Sequence, residues 1–193
     1  LVLFFKKEHL PMRIIAGTWR GKRLSAPTGD STRPTADRAR QALFDMLTHA
    51  PWGGRELIEG ASVLDAFAGT GALGLEALSR GAADVTFMEN GRDALVALGA
   101  NVAACKAGGR ARILAVDATR PPRGGPSRIV FLDPPYDHDL LNLSLHALRE
   151  SGWIVTGTIV VAEARRSARC EAPGMLLDER SHGIAKIMVW RGD

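Results

Sequence analysis

Asp133-Pro134-Pro135-Tyr136 is the stretch of this chain best equipped for chemistry. Two prolines after an acid give a rigid, extended loop. At the end of the hydrophobic run Arg128 to Leu132, that loop aims the Asp133 carboxylate and the Pro134 carbonyl at one point. Two converging acceptors suit the exocyclic amine of a base, which has two N–H bonds to give. Such a nitrogen is a poor nucleophile because its lone pair is delocalised into the ring. Holding both protons in a polarising geometry encourages it to pyramidalise and attack an electrophilic methyl, with geometry and electrostatics supplying most of the rate. Once methylated the nitrogen is strongly acidic, so Asp133 or water can take its proton without a tuned base. Tyr136, the only tyrosine of the chain, offers a flat face for stacking. A base inside structured nucleic acid would have to swing out to reach this corner.

A second stretch supplies a place for a cofactor. Val63-Leu64 ends in Asp65, the tight turn Ala68-Gly69-Thr70-Gly71 follows, and an amphipathic run continues through Leu73, Leu75, Ala77 and Leu78. This is the strand, turn, helix signature of a nucleotide-binding α/β unit. Glycines at 69 and 71 allow close backbone approach, and the helix start aims unpaired N–H groups at a ligand. Glu89 ends the next hydrophobic run, 20 residues after Gly69, where an acid can accept both ribose hydroxyls. Asp117, followed by Ala118, ends a third run; it either accepts from an adenine amine or serves a turn. Gly74 completes a GxGxxG spacing, so a dinucleotide site stays in play.

The elements that must position these residues read as an α/β domain. Strands are expected at 63–65, 84–88, 111–116, 128–132, 158–162, 175–177 and 184–190, the last two as an antiparallel, hairpin-like closure. Helices are expected at 36–47, from near Ala72 through Leu78, at 93–104 and at 140–148. The fold class is a Rossmann-like, mostly parallel seven-stranded sheet. Ahead of it, Arg13 to Leu24 reads as a short hairpin anchored by Ile14, Ile15 and Trp19, the last covering core or stacking on a base. Thr35 is the expected cap of the first helix, and Leu57 to Gly60 is expected to lead straight into the first strand. The organisation expected is an extension at 1–11, a basic segment at 12–45 and a catalytic domain at 46–193.

Size and charge narrow the function. A chain of 193 residues, 46% apolar and 24% charged, can bury a core and is not a disordered composition. No apolar run is long enough to span a bilayer, and LVLFF is too short for a signal peptide, so a cytoplasmic address is expected. Cys105 and Cys170 stand apart with no metal-ligand spacing, which predicts reduced structural thiols and no metal. Residues 1–40 hold nine Lys/Arg against three acids, a net +6, while the whole chain carries +4. A basic arm beside a near-neutral body points to a polyanionic partner.

Taken in order, VLDAFAGTG, Glu89, VDAT around Asp117 and FLDPPY resemble the motif set of class I S-adenosylmethionine-dependent methyltransferases acting on exocyclic amines. More narrowly, MRIIAGTWRGKRL and TRPTADRARQALFDML resemble the RsmD family, the bacterial 16S rRNA guanine-N2 methyltransferases. The resemblance runs from Met12 onward and is strongest up to Tyr136. It implies S-adenosylmethionine as donor, S-adenosylhomocysteine as product, and 16S rRNA, within a 30S subunit or assembly intermediate, as partner of a monomeric enzyme. It implies Asp65, Ala68, Gly69 and Gly71 around the methionine part of the cofactor, Glu89 on the ribose, and Asp117 with Ala118 on the adenine. Asp133, Pro134 and Tyr136 would hold the guanine, with Arg20, Lys22, Arg33, Arg38 and Arg40 on the RNA-facing side. The broader class often has Asn where this chain has Asp133. A carboxylate there suits guanine, whose N1–H and N2–H₂ stand side by side, yet adenine methyltransferases also carry DPPY. Three alternatives stay open: an adenine or cytosine amino-methyltransferase on DNA or other RNA, a nicotinamide-dependent oxidoreductase, and an RNA-binding assembly factor without catalysis. The oxidoreductase leaves DPPY and the basic arm unexplained.

Overall fold

The computed structural model describes residues 12–26, 34–135, 139–171 and 173–193. The extension 1–11, Arg33 and Tyr136 lie outside the described residues. Short, almost purely apolar runs form the central strands, as expected where a parallel sheet is covered on both faces. In β1 (Ser62–Asp65) and β4 (Ile129–Leu132) neighbouring side chains enter opposite cores. Val63, Ile129 and Phe131 join one cluster, and Leu64, Val130 and Leu132 join the other. Alongside run β2 (Asp84–Glu89), β3 (Ala111–Ala115) and β5 (Ile159–Arg165), with β6 (Gly174–His182) and β7 (Ala185–Gly192) closing the chain. The strand order is β3-β2-β1-β4-β5-β7-β6. The first five strands are parallel, and β7 is antiparallel to both β5 and β6. This is the Rossmann-like sheet expected, with its antiparallel closure.

Helix α1 (Pro34–His49), the single turn α2 (Arg55–Ile58), α3 (Ala72–Ser79) and α4 (Arg92–Ala104) cover the sheet, with α5 (Leu140–Glu150). The first core takes Phe44, Leu47, Leu75, Leu78 and Leu98; α5 contributes Leu141, Leu145 and Leu148 to the second. Among the described residues no helix is long and apolar enough to cross a membrane.

Local expectations shift in several places. Helix α1 begins at Pro34, so Thr35 lies within it rather than capping it; proline suits the first helical position because its missing N–H would have no partner there. The 57–60 lead-in begins inside the turn α2, which ends by burying Leu57 and Ile58. The 13–24 hairpin is reduced to a single antiparallel bridge, Arg13 to Arg23, around a 3-10 turn at Gly17–Trp19. Two bonds flank it, Ile14 N–H to Lys22 O and Leu24 N–H to Met12 O, both 2.8 Å. Strands β5 and β6 run longer than their apolar runs, through charged residues whose backbones pair with β7. The basic segment is not held apart from the body: Ile14, Leu24, Leu43 and Phe44 bury in the same core as Val63 and Phe131. The boundary expected at residue 46 falls inside α1.

Candidate active site

Chain order reverses across the β1–β4 pair, and in open α/β sheets the ligand crevice lies outside the carboxyl ends of the strands at that switch point. Both acid motifs end there. Asp65 is the last residue of β1, opposite Phe131, and Ala66 N–H bonds to Phe131 O at 3.0 Å. Asp133 follows the last residue of β4. The Asp65 side chain is buried and accepts the Gly74 N–H at 2.9 Å. Burial pushes its pKa up to about 7; the Gly74 bond opposes that rise and the Glu89 carboxylate adds to it. Asp133 also rises to about 7, first through desolvation by the surrounding protein, then through Glu163 and Asp65. Yet Asp133 is exposed, with Pro134 buried behind it. Water on its open side softens the desolvation, so the two neighbouring carboxylates are the firmer cause of the rise. Acids that crowd one another at a strand edge favour a cation between them.

The glycine turn has the shape the motif requires. Gly69 and Gly71 both have positive φ, +53° and +81°, and Gly71 opens α3. A Cβ on Gly69 would meet nothing within 4 Å, so the backbone there faces open space. Gly74 has a packing role instead: a Cβ would lie 2.3 Å from Phe87 Cε1, so its absence lets α3 settle on β2. Ala68 is buried, its N–H bonded to Met88 O at 3.0 Å. Glu89 braces the turn: one oxygen accepts from Gly69 N at 2.7 Å, the other from Asn90 N and Gly91 N at 2.9 and 2.7 Å.

Next to Glu89 a small cleft is lined by Ala66, Phe67, Met88, Glu89, Asn90, Val116 and Ala118. It lies across the ends of β1, β2 and β3, with Glu89 as its single acid. Asp117 uses Oδ1 for its own turn, accepting both the backbone N–H and the hydroxyl of Thr119 at 2.8 Å. Phe67, Met88, Asn90 and Val116 were not singled out from the sequence. Their signal was position alone, each at or just beyond the carboxyl end of a strand. No group of three or more His, Cys, Asp or Glu suited to a metal occurs among the described residues.

The basic segment divides. Arg20, Lys22 and Arg38 are exposed, as a contact to a polyanion requires. Arg40 corrects the expectation made for it: it is buried and committed inward. Its Nη2 donates to Arg13 O at 2.5 Å and Asp37 Oδ1 at 3.0 Å, and Nε lies 3.9 Å from Glu76 Oε2. An i,i+3 acid and an apolar stripe on α1 draw the guanidinium into the core instead of towards RNA. Trp19 is half-buried against the core, with the Arg110 guanidinium 5.3 Å over its ring.

The anchors of this segment were invisible in the sequence. Fully buried Glu76 accepts from Ile15 N at 2.7 Å, Ala16 N at 3.0 Å and Arg80 Nε at 2.7 Å. Ser79 accepts from Trp19 N at 2.9 Å. Buried Asn101 exchanges bonds with both Ser25 backbone groups and donates to Thr70 O at 2.9 Å. The arm is thus fastened to α3, α4 and the glycine turn. Glu76 sits within an otherwise apolar helical run, and a carboxylate at a core position is the sign that a partner had to exist.

Strand order, the antiparallel seventh strand and the acids ending β1 and β4 define a class I methyltransferase fold. The family described as Conserved hypothetical protein 95 matches residues 12–191, and the chain belongs to that family, in keeping with its resemblance to RsmD proteins. The chain is 42% identical over 155 residues to ribosomal RNA small subunit methyltransferase D of Escherichia coli, covering 79% of this chain and 74% of that one. Against the protein of the same name from Haemophilus influenzae it is 33% identical over 187 residues, 93% of each. The solved structure of the yhhF protein of Escherichia coli superposes with a TM-score of 0.80 at 38% identity, covering 94% of this chain and 98% of that one.

Proposed function

We propose that this protein transfers a methyl group from S-adenosylmethionine to the exocyclic N2 amine of a guanine in 16S rRNA of the small subunit. The observation that carries the reading is the neighbourhood of two strand ends. Asp65 at the end of β1 leads into an open glycine turn, and Asp133-Pro134 at the end of β4 stands beside it. Relatives named as ribosomal RNA small subunit methyltransferases at 42% and 33% identity support rRNA as the substrate class.

The residues fit the donor. Open space over Gly69, the cleft from Ala66 to Ala118 and the Glu89 acid suit an adenosine, and the Asp65, Asp133 and Glu163 carboxyls suit a positive centre. When bound, S-adenosylmethionine supplies an electrophilic methyl. Asp133 and the Pro134 carbonyl accept the two amine protons of the target base and orient its nitrogen lone pair. Asp133 or water then takes the proton that the methylated nitrogen loses. The exposed Arg38 would hold an RNA phosphate, and Arg20 and Lys22, at the arm's tip towards the far end of α3, would extend that contact along the RNA, with Arg33 and Tyr136 assigned to RNA and base on the sequence alone.

Labelled donor offered with naked DNA, naked rRNA and 30S particles tests this, with the modified nucleotide mapped by mass spectrometry. A single N2-methylguanine in 16S rRNA is expected. Label only in DNA, or at an adenine, would overturn the substrate, and tight binding of NAD in place of S-adenosylhomocysteine would overturn the chemistry.

A further inference from the structure

We infer that the loop after β5, carrying Arg166 and Arg169, is a second RNA-backbone contact, facing the basic N-terminal segment across the methyl-transfer corner. This rests on the rRNA-methyltransferase reading above. Strands β4 and β5 are parallel, with Leu132 paired to Ala162. Asp133 therefore stands level with Glu163, and β5 continues past it to Arg165. The loop that follows, Arg166-Ser167-Ala168-Arg169-Cys170-Glu171, lies on the same carboxyl edge as Asp133.

The loop is built rather than loose. Asn142, in the first turn of α5, donates to Arg169 O at 3.2 Å and accepts from Glu171 N at 2.9 Å. Arg166 N–H bonds to Ile184 O at 2.8 Å in the turn joining β6 and β7. Ala168 and Cys170 pack on the second core. Helix α5 is the element that follows the Asp133 corner in the chain. Arg166 and Arg169 are both exposed. Residues 165–171 hold three arginines against one acid, in a part of the chain that is otherwise slightly acidic.

A base presented to Asp133 must leave its stack, and its flanking phosphates then pass on either side of the pocket. The N-terminal arm lies on the glycine-turn side, where Met12 Sδ accepts the Thr70 hydroxyl at 3.3 Å. The β5 loop lies on the opposite, β4–β5 side. Arginine is suited to hold the backbone there, because phosphate contacts set position without reading sequence.

The test is methylation of 30S particles by Arg166→Ala/Arg169→Ala, against the parent and Arg166→Lys/Arg169→Lys, over a range of salt. The alanine pair should raise KM for the particle several-fold with kcat little changed. It should lower the slope of log kcat/KM against log salt by about 1.4, two contacts at about 0.7 each for single strands. The lysine pair should restore the slope, and S-adenosylhomocysteine affinity should match the parent in both, which reports an intact fold. Parent-like slope and KM in the alanine pair overturn the inference alone. A parent that methylates no RNA overturns the reading beneath it.

Discussion

The Glu89 carboxylate accepts the Gly69 N–H at 2.7 Å across 20 residues of chain, tying the end of β2 to the glycine turn. Its other oxygen takes the N–H groups of Asn90 and Gly91. Backbone donors thus fill three of the roughly four lone-pair positions that a carboxylate offers. A ribose diol has one position open and reaches a second only by displacing one of these three backbone donors. The acid therefore shapes the turn before it meets any ligand.

Replacing Glu89 with glutamine keeps the volume and turns an acceptor into a donor facing backbone N–H groups. Charge-assisted bonds are about twice as strong as neutral ones. S-adenosylhomocysteine affinity, read by calorimetry, should fall about 10- to 100-fold, a loss of about 1.4 to 3 kcal/mol. An unchanged affinity would leave Glu89 as a brace only.

What the sequence could tell follows from how local each feature is. Strands β1, β2 and β4, the glycine turn and the acids that end strands are written in contiguous residues, so Asp65, Glu89 and Asp133 could be placed at strand ends before any fold was known. Arg40 misled because an arginine near the start of a basic helix looks like its neighbour Arg38. Only the approach of α3, which brings Glu76 beneath α1, distinguishes them. Asn101 was unreadable for the same reason, since its partners Ser25 and Thr70 are 76 and 31 residues away. The length of β5 and β6 was missed because antiparallel backbone pairing with β7 sustains a strand through charged residues.

Asp133→Ala removes the carboxyl that would hold the amine while leaving the cofactor cleft untouched. One preorganised group of this kind is worth about 10²–10³ in rate. Single-turnover methylation should slow by that factor with S-adenosylhomocysteine affinity within error of the parent. Parent-like turnover would instead mean that groups other than the Asp133 carboxyl hold the amine.

Asp65 gives a pH signature. Its carboxyl titrates near 7 in the fold, above its ordinary 3.8, so between those values the native state binds more protons than the unfolded chain. Stability of the ligand-free protein should therefore fall as pH rises from about 4 to 7 and level off above, by linkage. Asp65→Asn keeps an oxygen for the Gly74 N–H and removes the titration. Urea melts of parent and variant should diverge in favour of asparagine as pH increases through that window. Curves that stay parallel would mean that the buried acid is already ionised near its ordinary pKa.

A bound positive charge reverses the sense of that titration. S-adenosylmethionine carries a sulfonium that S-adenosylhomocysteine lacks, and a nearby cation favours ionised Asp65 and Asp133. Donor affinity should rise from pH 6 to 8 more steeply than product affinity, with proton release seen as a buffer-dependent binding enthalpy. Equal slopes for the two ligands would separate the sulfonium from the acids that end β1 and β4.

Glu76 tests how the basic arm is held. It is fully buried, bonded to Arg80 and to the backbone of Ile15 and Ala16, with Arg40 at its side. Glu76→Ala leaves the buried Arg40 with Asp37 as its only acid, and breaking a buried pair from one side costs about 3–5 kcal/mol. Urea unfolding should report a loss of that size, and hydrogen exchange at the Ile15 and Ala16 amides should accelerate beyond the global change. The double variant Glu76→Leu/Arg40→Met fills the space without charge and should recover most of the stability but not the protection of those two amides. If the double variant protects them as well as the parent does, apolar packing of Ile14 and Leu24 holds the arm, and the carboxylate is dispensable.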